Sequence, residues 1–100
     1  MKPFKMRKGL GAFYDTIGGV TVYKLYDTFI LNISAKYMKL NSGNHKTTHT
    51  KRCLNDNLPD GFTIFQADFV WYLNMSNGET VGFKDDMIID LSTFEVYYDL

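Results

Sequence analysis

The sequence predicts a single, mainly β domain of mostly antiparallel strands. Three observations carry this. The chain is 100 residues long with 45% hydrophobic and 22% charged residues, which fits one globular domain. Aromatic residues make up 16%, and such side chains favour pleated, half-buried surfaces. Alternating apolar and polar residues recur between turn signals, and no helical period runs beyond two turns. About six or seven strands result, in a bent sheet, a small barrel or a sandwich, with at most short helical turns.

Residues 1–19 contain Gly9, Gly11, Gly18 and Gly19 without a clear period. They read as an irregular basic arm ahead of a β-rich domain over 20–100. Val20 to Tyr26 is β-branched and aromatic, a strand signal. Phe29, Leu31, Ile33, Ala35 and Tyr37 then alternate with polar positions and predict a half-buried strand. Asn41-Ser42-Gly43-Asn44 is a turn. The threonine-rich stretch 45–54 reads as the return strand of a hairpin at an edge, since Thr is a weak helix former.

Leu58-Pro59-Asp60-Gly61 makes the second break. Beyond it Phe65, Ala67, Phe69, Trp71, Leu73 and Met75 alternate, predicting one long central strand. Asn77-Gly78 is a hairpin signal suited to a type I′ turn. Met87–Asp90 and Phe94–Tyr98 form a last hairpin around Leu91-Ser92-Thr93.

Charge is distributed unevenly. The net is zero, yet residues 1–52 carry +8 and residues 53–100 carry −8. Two arrangements follow: strands from the two halves interleave and their charges cancel, or a dipolar surface orients a partner. Cys53 is the only cysteine, so no internal disulfide forms and a reducing compartment is expected. The basic start has no apolar stretch after it, so neither a secretory leader nor membrane association is expected. The expected location is the cytoplasm. Asn32-Ile33-Ser34 and Asn74-Met75-Ser76 then read as chance sequons.

Catalytic chemistry is not legible. Ser34, Ser42, Ser76 and Ser92 lie outside any nucleophile-elbow pattern. His45, His49 and Cys53 stand four residues apart. On a strand that spacing keeps every pair too far apart to chelate, and nearby cations repel a metal. Gly9-Leu10-Gly11 lacks the rest of a phosphate-binding loop. No cofactor or metal is expected.

Two surfaces remain. The acidic final hairpins, with Asp85, Asp86, Asp90, Glu95, Tyr97 and Asp99, suit docking onto a basic groove of a partner. The basic first half, with Lys2, Lys5, Arg7, Lys8, Lys24, Lys36 and Lys39 among tyrosines, suits stacking and phosphate contacts on nucleic acid. A small aromatic chain without catalytic residues has the character of a viral or mobile-element accessory protein. The expectation is therefore a non-enzymatic protein that docks onto a larger host protein or nucleoprotein complex, as a counter-defence inhibitor. Nucleic-acid binding by the basic half is the alternative, and homodimerisation is a further way to cover an open edge.

Overall fold

The computed structural model describes residues 2–3, 12–25, 28–43 and 46–98. It shows the small antiparallel β domain expected, with more and shorter strands. Their order is β1 (Lys2–Pro3), β2 (Ala12–Ile17), β3 (Val20–Leu25), β4 (Thr28–Ile33), β5 (Tyr37–Leu40), α1 (Thr48–Asn57), β6 (Thr63–Ala67), β7 (Val70–Asn74), β8 (Thr80–Gly82), β9 (Met87–Asp90) and β10 (Val96–Tyr97). One sheet has seven strands in the order β1-β2-β3-β4-β5-β9-β10; the other is β6-β7-β8. All pairings are antiparallel. No helix among the described residues is long and apolar enough to cross a membrane.

Four expectations about individual segments are corrected. Residues 12–17, placed in an irregular arm, form β2 and pair with β3 through the two-glycine turn Gly18-Gly19, where both φ are positive. The alternating run from Phe29 to Tyr37 is not one strand. Ser34 Oγ accepts from the N–H groups of Lys36 and Tyr37, and that local turn folds the chain back into β5. A bulge opposite Tyr23 and Lys24 also moves Phe29 to the outer face, leaving Leu31 and Ile33 inward.

The threonine-rich segment is a helix rather than an edge strand. Thr47 caps it, its Oγ1 accepting from Thr50 N–H at 3.2 Å. Thr50, Cys53 and Leu54, spaced as one helical face, are its buried residues. The long central strand is in fact the β6–β7 hairpin. Its two loop residues, Asp68 and Phe69, have φ of 51° and 66°, so Ala67 pairs with Val70. Asn77-Gly78 does turn the chain, but only Gly78 has positive φ.

The two sheets and α1 share one core. Leu31, Met38, Leu40, Met87 and Ile89 from the large sheet join Cys53 and Leu54 from α1 and Ile64, Trp71 and Leu73 from the small sheet. Trp71 meets Phe83 edge-on, with ring centroids 5.3 Å apart. The free edges of the small sheet are finished by side chains. Asn55 bonds both backbone groups of Ile64 on β6, and the Tyr98 hydroxyl donates to the Gly82 carbonyl at the β8 edge.

The two charge halves are interleaved at one seam. β5, from the basic half, pairs directly with β9, from the acidic half.

Candidate functional site

Burying one face of the large sheet leaves its other face open. The register fixes which side chains stand there. Val22 lies opposite Asn32, Asn32 opposite Lys39, Lys39 opposite Ile88, and Ile88 opposite Tyr97. These five positions form a line across five strands. One pleat along, Tyr37 lies opposite Asp90. Tyr37 is 48% exposed, large for an aromatic on a sheet face.

A groove of about 550 Å³ runs over this face, lined by Val20, Asn32, Ser34, Tyr37, Lys39, Ile88 and Tyr97. Its walls are mostly aliphatic and aromatic. Its polar groups are sparse, as in sites that select a guest by shape and fix it with a few bonds. One of them is unsatisfied: Asn32 Oδ1 is buried and has no hydrogen-bond partner. A buried acceptor without a donor costs about 1–3 kcal/mol. Lys39 brings the cation. Its Nζ lies 3.8 Å from Asp86 Oδ1, but both side chains are well exposed, so the pair holds Lys39 only loosely.

Tyr97 is positioned by Glu95, two residues before it and just ahead of β10. Its hydroxyl donates to Glu95 Oε2 at 2.6 Å. That bond, then the Glu95 charge, holds the phenol above its ordinary pKa, with smaller contributions from burial, Asp90 and Tyr37.

The acidic residues singled out in the sequence serve mainly to shape turns. Asp85 Oδ1 accepts from Ser42 N–H at 2.7 Å, and Asp86 Oδ1 accepts from Asn41 Nδ2 at 2.9 Å. Together they clasp the 41–43 loop to the entry of β9. Asp90 Oδ1 accepts from the Ser92 N–H, the Ser92 hydroxyl and the Thr93 N–H. The Ser92 hydroxyl does most to hold its carboxyl below the usual range, followed by the two N–H groups. Asp99 lies outside the described residues.

Of the basic set, Lys39 lines the groove and Lys24 lies further along the same face, its Nζ 5.7 Å from the Phe29 ring centroid. Lys36 is exposed in the β4–β5 turn. Lys2 sits in β1, while Lys5, Arg7 and Lys8 lie outside the described residues, as does His45. His49 and Cys53 do approach one another on α1, with Nε2 3.9 Å from Sγ, but Cys53 is fully buried. No three candidate metal ligands gather among the described residues.

Sequence reasoning missed Val20, Asn32, Ser34 and Ile88. Their only signal is alternation opposite the buried positions of their strands, which any solvated face shows. The fold and the site define a class: a small two-sheet β protein with one open, grooved sheet face. Compared with known proteins, the chain matches no family model, no curated protein sequence and no solved structure.

Proposed function

We propose that this protein is a non-enzymatic binding module that works by protein–protein contact in the cytoplasm. The groove on the open face of the large sheet is its contact surface. The observation that carries this reading is the groove's lining: apolar and aromatic walls beside one loosely held lysine. Such a surface suits an aromatic or aliphatic side chain of a partner, with a carboxylate beside it. Occupying a surface of a larger complex in this way is one route to inhibition, with a host defence complex as the target. Asp85 and Asp86 before β9 and Asp90 at its far end flank the strand that carries Ile88 into the groove, and contribute by placing it.

Nucleic-acid binding remains the second reading, favoured by Lys24, Phe29, Tyr37 and Lys39 on one face. Against it, Asp86, Asp90 and Glu95 border the same face and repel a polyanion. A gel-shift titration with single-stranded oligonucleotides separates the two. The protein-contact reading expects no shift even at low salt. A shift at low salt that collapses as salt rises would replace it with the second reading.

A further inference from the structure

The small sheet ends in an unusual hairpin tip. Phe69 is 94% exposed, and Val70 beside it is 48% exposed. Phe69 also has φ of 66° in a two-residue loop, a backbone region where glycine is relaxed and a bulky side chain is strained. Among the described residues nothing offsets either cost, because the Phe69 ring is left almost wholly uncovered. A strained, exposed aromatic is better explained by a contact made outside the chain.

The same molecule holds a matching cavity. The groove has apolar walls from Val20, Tyr37, Ile88 and Tyr97 and a cation in Lys39. The tip carries an aromatic ring and, beside it, the Asp68 carboxylate. Ring meets walls and carboxylate meets ammonium. Knob and groove belong to different sheets, and the groove is on the face turned away from the shared core.

We infer that a second copy of this chain is a partner of the groove, with Phe69 of one copy seated between Tyr37 and Ile88 of the next. The inference rests on the groove being a contact surface. The contact is head-to-tail, using different patches on the two copies, so association continues beyond a pair unless it closes into a ring. One aromatic knob with a small apolar surround makes a weak contact, which shows at high protein concentration.

Sedimentation of the whole protein from about 10 μM to about 1 mM tests this. The mean mass is expected to climb from the 11.6 kDa of one chain to more than twice that value. A mass that stays at one chain throughout overturns the inference, while leaving the groove's use by other proteins to be judged separately by crosslinking from position 37. Phe69→Gly relaxes the turn, so it should fold at least as well as the parent and remain monomeric. If it associates like the parent, the knob is not Phe69. Tyr37→Lys blocks the groove at a position already exposed in the free chain, and it too should be monomeric alone. Mixed, Phe69→Gly supplies an intact groove and Tyr37→Lys an intact knob, so a one-to-one pair should form. Absence of that pair, when both variants are folded by circular dichroism, overturns the inference.

Discussion

The side-chain amide of Asn55 on α1 grips both backbone groups of Ile64 on β6. Its Nδ2 donates to the Ile64 carbonyl at 2.9 Å, and its Oδ1 accepts from the Ile64 N–H at 2.7 Å. A single amide thus stands where a neighbouring strand would be, and it fixes the helix to the small sheet. Ile64 is buried, so these groups have no water to turn to. Asn55→Ala is expected to cost about 2–4 kcal/mol in denaturant unfolding. Asn55→Asp keeps the acceptor but sets a carboxylate against the carbonyl, and it should cost no less. A loss under about 0.5 kcal/mol would show that the edge does not depend on this amide.

Asp85 and Asp86 act first on the fold. Removing the Asp85 carboxylate leaves the Ser42 N–H unpaired beside a buried side chain. Asp85→Ala should lower stability by about 1–3 kcal/mol, read as a shifted denaturation midpoint at unchanged slope. Asp86→Ala should cost less, since its bond to Asn41 is exposed. Equal, negligible losses at both positions would return these acids to the role of a plain charged surface.

Acid and alkaline titrations have opposite signs here. The Asp90 pKa is lowered in the folded protein by its turn hydrogen bonds. Its stabilising contribution is therefore complete above the unfolded value of about 3.9 and fades as pH falls through the lowered folded value. Asp90→Asn should show a shallower acid-side fall in melting temperature than the parent. The Tyr97 pKa is raised, Glu95 being the main cause. Its contribution is complete below about 10 and fades as pH rises through the raised value. Glu95→Gln should bring the Tyr97 phenolate absorbance in at lower pH; an unmoved titration would mean that the Tyr97–Glu95 bond is not kept in solution.

Two glycines with nearly equal φ separate strain from collision. Gly61 has φ of 90° and Gly78 of 91°. A Cβ on Gly61 would lie 2.6 Å from Ser76 Cβ, whereas a Cβ on Gly78 meets nothing within 4 Å. Gly78→Ala should cost about 1–2 kcal/mol for backbone strain alone. Gly61→Ala adds a clash worth about 1–3 kcal/mol more. Equal costs, measured by thermal unfolding, would mean that the turn at Ser76 moves aside freely.

Cys53 is fully buried on α1. A thiol reagent should label it only at the rate of native-state opening, so labelling accelerates in step with destabilising variants such as Asn55→Ala. Fast labelling that ignores stability would place the thiol at the surface.

Much of the architecture was legible because burial leaves period-two patterns. Leu31, Ile33, Trp71, Leu73 and Met75 are inward as their spacing predicts. The misreadings occur where a turn lacks its usual residues. Asp68-Phe69 contains no glycine, so an alternating run passed through a hairpin loop unnoticed, and Ser34 turned another run by its own hydroxyl. The helix hid behind threonines because its capping and three buried side chains outweigh a weak propensity. The candidate site was half visible. Lys39 and Tyr97 were singled out for charge and aromatic character, but in separate surfaces. Only the β5–β9 pairing, which no local pattern encodes, brings them into one groove.

Photo-crosslinking in cells tests the central claim most directly, with a benzophenone amino acid placed at position 37 or at position 92. The account predicts a polypeptide adduct from position 37 that Ile88→Lys abolishes, and none from Ser92 on the acidic turn. An adduct from position 92 with none from position 37 would contradict it and move the contact surface to the acidic hairpins.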